Sequence, residues 1–442
     1  MASPDALSVQ SVVLADIAVV LALCALMVRL GRRLHQPPVV AEIAAGLMLG
    51  PSLLGLLPGH LVQHIFPADA RPSLSSIAQF GLALFMFMTG WELDPRRLRG
   101  SGRALGSIAV LAMAVPFVLG GGTAALLYHS QAPHGVRAEV FVLFMATAFS
   151  ITAFPVLARI IRDQGLSQTR IGAMAMSCAA ICDVAAWCVL VLVTAVAGSG
   201  GKLGFLKVLA LTVGYTAVMA LVVRPLLRRA LRNFSGREDR GVLLVLLVTG
   251  LLLSAFATAW IGLDSIFGAF AFGLVMPRQY DSPKTAVALQ QHIAAPLDKA
   301  AGILLPVFFA VTGLSVEVTK LGWSGLGVLL IALATAVVGK LTGTAIPARL
   351  NGMSWRDAGL FGTLMNTRGL TELVVLTIGS QLGLIPPNLF TVMVLVALAT
   401  TAMAGPLLRL LGVTGESVRD EPLPEPGESP PRKREPQDAQ PV

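Results

Sequence analysis

Long apolar runs alternate with short polar connections along this chain, and the runs are too long for strands or ordinary surface helices. A bilayer crossing needs about 20 mostly apolar residues. Thirteen stretches reach or approach that length: 8–31, 37–57, 74–93, 103–128, 138–161, 170–198, 203–233, 239–260, 263–280, 296–314, 322–349, 356–382 and 388–412. The pattern predicts an all-α polytopic membrane protein with about 13 transmembrane helices. It stops at residue 412. Residues 415–442 hold seven prolines, seven acidic and four basic residues, which cannot bury a core, so 413–442 is expected to be a disordered cytoplasmic tail.

Composition agrees. Of 442 residues, 55% are hydrophobic and only 13% charged, against about 25% charged in soluble domains. A soluble enzyme, a nucleic-acid binder and a disordered scaffold are excluded. The net charge of +9 is distributed by membrane side: 26 of the 33 Lys and Arg flank or follow odd-numbered runs or lie in the tail, and 5 follow even-numbered runs. That asymmetry predicts an N-terminus outside and a C-terminus in the cytoplasm, in a multi-pass protein of the plasma (inner) membrane. Met1–Gln10 carries Asp5 and no basic residue, so the first run reads as a retained span rather than a cleaved signal. The four cysteines, Cys24, Cys178, Cys182 and Cys188, lie in apolar runs and are expected to be free thiols. Zinc needs about four ligands, and none of these has a histidine nearby. No resident metal or cofactor is expected, and neither is catalysis.

Two stretches repeat. Phe85–Leu98 aligns with Phe308–Leu321 through Phe85/Phe308, Thr89/Thr312, Gly90/Gly313 and Leu98/Leu321, and IAAGLML from Ile43 resembles FAFGLVM from Phe270. The copies lie an odd number of spans apart and therefore face opposite ways. If this is not chance similarity between apolar helices, it is an inverted-topology repeat of the kind that builds secondary transporters. The repeat pairs the fifth run with the twelfth. One contains Thr147, Ser150, Thr152 and Pro155, the other Asn366, Thr367, Gly369 and Thr371. Pro155 removes a backbone donor and Gly369 tolerates unwinding, so two crossed, unwound helices are expected; a proline kink with hydroxyls bonded back to the helix is the plainer alternative.

Four ionisable residues sit near span centres: Asp183, Lys340, Arg368 and Glu372. Each costs at least about 2.5 kcal/mol there, so each should face the bundle interior. Arg368 and Glu372 are spaced i, i+4 and can pair locally, holding the broken span. Asp183 has no basic residue within a turn. Burial disfavours its charged form and an approaching cation favours it, so it can hold a proton or a cation but hardly both. Lys340 is the expected partner across the bundle, and a static Asp183–Lys340 salt bridge is the bland alternative.

PPVVAEIAAGLMLGPSLLG (37–55), SITAFPVLARI (150–160), DVAAW (183–187), LPVFFAVTGL (305–314) and MNTRGLTEL (365–373) together resemble the monovalent cation:proton antiporters of the sodium/hydrogen exchanger family, in the branch with bacterial potassium-efflux systems and plant cation/proton exchangers. The resemblance covers residues ~10–412 and implies core helices (103–198 and 322–412) moving against interface helices (8–93 and 239–314) of a homodimer, with 203–233 as linker. It places the ion-binding aspartate on Asp183, the threonine of the unwound helix on Thr152 and the opposing basic residue on Lys340, with Ser150 and Cys182 alongside. The family usually has Asn, Gln or a second Asp where Cys182 stands. A thiol is a poor ligand for a hard cation, and one carboxylate implies one proton per cation. The expectation is an electroneutral K⁺ or Na⁺/H⁺ antiporter working by alternating access in the lipid bilayer, with no nucleic-acid partner. The rivals are an organic-anion symporter on a similar repeat and a cation channel.

Overall fold

The computed structural model describes residues 9–34, 36–56, 61–93, 102–196, 201–232, 240–277, 287, 289–314 and 323–412. The tail expected at 413–442 lies outside them. Every regular element described is helical. Numbered by the run each occupies, the helices are α1 (Val9–Arg33), α2 (Pro38–Leu49), α3 (Arg71–Glu92), α4 (Gly102–Gln131), α5a (Ala138–Ser150), α5b (Phe154–Asp163) and α6 (Arg170–Val196). α7 joins Gly201–Val218 to Arg224–Arg232 through a π-helical turn; then follow α8 (Arg240–Ile261), α9 (Ser265–Leu274), α10 (Ala295–Leu314), α11 (Trp323–Leu350), α12a (Trp355–Met365), α12b (Leu370–Gln381) and α13 (Pro387–Leu410).

Eleven helices among the described residues are long and apolar enough to cross a membrane. The other two expected spans differ. The ninth is a helix of ten residues, and the twelfth is two half-helices of 11 and 12 residues. A count of thirteen therefore does not follow from length and apolarity alone. Local chemistry explains the starts: Asp264 caps α9 through the Ile266 N–H, Ser354 caps α12a through the Asp357 N–H, and proline occupies the first turn of α2, α3, α5b and α13, where its missing donor is not needed.

The helices pack in two groups. α1, α2, α3, α8, α9 and α10 form one; α4, α5a, α5b, α6, α11, α12a, α12b and α13 form the other; α7 touches α6 and α8. The first group shows the repeat directly. A Cβ on Gly46 of α2 would overlap the Ala310 carbonyl of α10, and one on Gly313 would overlap the Ile43 carbonyl. The matching pair behaves alike: a Cβ on Gly90 of α3 would overlap the Phe270 carbonyl of α9, and one on Gly273 the Phe87 carbonyl. The aligned copies thus pack reciprocally, α2 on α10 and α9 on α3. That reciprocity is the packing expected of two copies of one repeat.

α5b bridges the groups. Arg159 pairs with Glu42 of α2 at 3.5 Å and with Asp163 at 3.0 Å, while Arg162 pairs with Glu92 of α3 at 3.3 Å and with Asp298 of α10. The Phe154 ring meets Phe270 of α9 edge-on, with centroids 4.7 Å apart. Glu42 is 2% exposed, and so is Asp16 of α1. Both are buried ionisable groups in addition to the four near span centres.

Candidate ion-binding site at the helix crossing

Two short extended segments cross inside the second group. Ile151–Ala153 separates α5a from α5b, with Ile151 at φ −65°, ψ 141° and Ala153 at φ −75°, ψ 92°. Thr367–Gly369 separates α12a from α12b, and the Ala153 N–H donates to the Thr367 carbonyl at 3.2 Å. Pro155 lies in the first turn of α5b, so it starts a half-helix rather than kinking a continuous one. Gly369 is needed for space rather than for backbone freedom: its φ of 166° is ordinary extended backbone, but a Cβ there would come within 2.6 Å of Val156 Cγ2. Thr401 of α13 clamps the second break by accepting the Arg368 N–H at 3.0 Å and donating to the Arg368 carbonyl.

Unwinding leaves four helix ends in the protein interior, each with unpaired backbone groups and a partial charge. Charged side chains meet three of them. Asp183 of α6, fully buried, accepts the Phe154 N–H at 3.1 Å and the Thr371 hydroxyl at 3.3 Å, so one carboxylate oxygen serves the N-terminal turns of both α5b and α12b. The carbonyl end of α5a is met by cations. Lys340 donates to the Ser150 carbonyl at 2.5 Å and to the Ala112 carbonyl at 3.1 Å; Arg368 donates to Ala148 at 3.2 Å and to Phe149 at 2.6 Å. Arg368 also pairs with Glu372 at 3.1 Å, both residues fully buried.

This corrects one expectation. Lys340 is not the ion-pair partner of Asp183: its ammonium is spent on backbone carbonyls, and no ion pair among the described residues includes Asp183. The Oδ1 atom of Asp183 has no hydrogen-bond partner in the described structure. The Thr152 hydroxyl donates to the Met365 carbonyl at 3.4 Å. Ser150 turns its hydroxyl back to the Thr147 carbonyl and offers Lys340 its backbone oxygen instead. The Cys182 thiol points to the Ala109 carbonyl of α4 at 3.6 Å. Asn366 and Thr371 stand out in the sequence only as polar residues of the broken twelfth run, and nothing there sets Thr401 apart from other threonines of apolar helices. Among the described residues no His, Cys, Asp and Glu group could hold a metal ion as a structural site.

Comparison with known proteins decides the family. Residues 18–413 match the family described as sodium/hydrogen exchanger, transmembrane. This chain belongs to that family. Among members similar to this exchanger-family chain is the Na(+)/H(+) antiporter NhaS4 of Synechocystis sp., 38% identical over 401 residues, which cover 90% of this chain and 96% of the relative. Cation/H(+) antiporter 20 of Arabidopsis thaliana is 39% identical over 88% of this chain and 47% of its own length. The K(+)/H(+) antiporter 1 of Saccharomyces cerevisiae is 31% identical over 88% of this chain and 44% of its own. The exchanger chain thus spans less than half the length of these plant and yeast relatives. The solved structure of the sodium proton antiporter MjNhaP1 from Methanocaldococcus jannaschii superposes with a TM-score of 0.65 at 12% identity, covering 92% of this chain and 98% of that one. It shows the shared fold.

Proposed function

We propose that this chain exchanges a monovalent cation, K⁺ or Na⁺, for a proton, with both competing for Asp183. The family makes it a multi-pass cation/proton antiporter, and the residue assignment rests on one observation. Asp183 is fully buried, its Oδ2 is held by two half-helix N-terminal turns, and its Oδ1 has no partner among the described residues. A carboxylate placed so can take a proton or contact a cation without breaking an existing ion pair. The two N-terminal turns favour its ionised form and burial opposes it, so its occupancy is set by whichever cation, H⁺ or metal, reaches it.

The rest of the reading follows. One exchanging carboxylate, with the Lys340 ammonium committed to carbonyls, supports one proton per cation and no net charge moved. The second helix group carries the site and moves against the first, which pairs with a second copy of the chain within the lipid. Orientation follows the basic residues, N-terminus outside and C-terminus in the cytoplasm, in the plasma (inner) membrane. A pH gradient supplies about 1.4 kcal/mol per unit.

The test is flux in proteoliposomes. An imposed pH gradient should drive saturable uptake of ⁸⁶Rb⁺ or ²²Na⁺, at a rate indifferent to membrane potential. A potential-dependent rate would overturn the one-proton stoichiometry, and non-saturating current would indicate a channel.

A further inference from the structure

We propose that Asn366 is a ligand of the transported cation, bound together with Asp183 at the carbonyl end of α12a. The proposal rests on the antiport reading above and adds a second binding residue to it. It begins from an asymmetry between the crossed breaks. Two carbonyl ends meet at the crossing, and the repeat makes them equivalent, but only one is served by cations. At α5a, the carbonyls of Ala148, Phe149 and Ser150 all receive donors from Arg368 or Lys340. At α12a no Lys or Arg side chain among the described residues donates to the last carbonyls. Met365 receives the Thr152 hydroxyl at a long 3.4 Å, and Leu364 receives the N–H and hydroxyl of Thr367. A helix C-terminus carries roughly half a negative charge, so the α12a end lacks the compensation that its counterpart has.

Asn366 caps that end. It is 1% exposed, and neither its amide oxygen nor its amide nitrogen has a hydrogen-bond partner among the described residues. Leaving such a group buried and unpaired forfeits its hydrogen bonds to water with nothing in return, so an apolar side chain would suit a purely structural position better. A site for a dehydrated alkali cation needs oxygen atoms in place of the lost water. The amide oxygen of Asn366 and the partial negative charge of the α12a terminus supply that chemistry.

Asn366 is also tied to the carboxylate through the crossing backbone. Its neighbour Thr367 accepts the Ala153 N–H, and the next residue, Phe154, donates its N–H to Asp183. Two backbone hydrogen bonds on consecutive residues therefore link the α12a end to Asp183. The unpartnered Oδ1 of Asp183 and the unpartnered amide of Asn366 belong to the same small crossing. On arrival the cation bridges them; on departure Asp183 takes the proton, and the neutral amide needs no counter-charge.

The experiment uses the full chain, purified and reconstituted, with ⁸⁶Rb⁺ and ²²Na⁺ uptake driven by a pH gradient. Asn366→Ala should raise the KM for both cations about tenfold or more, leave the rate at saturating cation within about threefold, and change the ratio of Rb⁺ to Na⁺ uptake. Asn366→Asp, nearly the same shape, should lower the KM and make exchange sensitive to an imposed potential. Unchanged KM values and an unchanged cation ratio in a folded Asn366→Ala would overturn the proposal. If neither variant folds, Asn366 is a structural residue and the proposal is equally overturned. If the wild type itself shows no pH-driven uptake, the antiport reading fails instead, which separates the two claims.

Discussion

The carboxylate of Asp183 and the backbone N–H of Phe154 are joined by a 3.1 Å hydrogen bond, and Phe154 is the first residue of a half-helix that begins in the protein interior. Asp183 therefore serves the fold as well as its proposed ion. The two roles can be separated by replacing charge while keeping shape. Asp183→Asn retains an oxygen for the Phe154 N–H but cannot titrate. It should abolish pH-driven uptake while the purified protein elutes and melts much like the wild type. Near-normal uptake by the Asn variant would move the exchanging group elsewhere.

Lys340 should behave differently. Its ammonium closes two buried carbonyls, Ser150 and Ala112, and Lys340→Met leaves both unpaired at a cost of about 1–3 kcal/mol each. The expected result is a clear fall in thermal stability, with whatever uptake remains still coupled to pH. A Met variant as stable as the wild type would show that the α5a end needs no cation.

Arg162 ties α5b to the opposite helix group through Glu92 and Asp298, and its guanidinium also lies over the Phe85 ring at 5.8 Å. Arg162→Gln removes all of these ties. Hydrogen exchange should become faster at the amides of α5b, residues 157–163, and change little in α11. Equal protection in both proteins would mean that Arg159 and the Phe154–Phe270 contact hold the bridge unaided.

The reciprocal glycines predict a graded packing response. Gly46→Val and Gly313→Val push a side chain into a neighbouring backbone and should destabilise by about 1–3 kcal/mol or more. Gly327→Ala in α11 meets nothing within 4 Å and should be neutral or slightly stabilising. Thermal melts in detergent of the three variants test the contrast, and tolerance at Gly46 would contradict the close approach of α2 and α10.

Most of the spans, both breaks and the three charges that meet helix ends are legible in the sequence, because hydrophobic run length, Pro155 and intramembrane charge are local signals. The sequence did not carry the partners. Lys340 was matched to Asp183 because opposite charges attract, but backbone carbonyls compete for an ammonium and leave no mark in the residue alphabet. Thr401, and the bond that Thr371 makes to Asp183, are invisible for a similar reason: a threonine in an apolar helix usually bonds to its own turn, as Thr312 does with Phe308 at 2.9 Å. Glu42 escaped notice because it lies near the start of its run, where a charge normally reaches solvent. In the sequence Gly369 reads as a residue that tolerates unwinding, whereas in the structure the nearness of Val156 leaves no room for a Cβ there.

The paired glycines of α2, α3, α9 and α10 have a mechanical consequence. Where backbone rests on backbone with no side chain between, sliding one helix along another forces carbonyl oxygens over neighbouring α-carbons, and no rotamer change can relieve the collision. These four helices thus form a tightly locked panel. They resist shear, while the facing surface around α5b is joined by ion pairs and aromatic edges that can part and re-form. In the exchange cycle proposed above, the displacement that carries Asp183 between the two sides of the bilayer falls on that softer seam, and the glycine-locked panel is the surface it moves along.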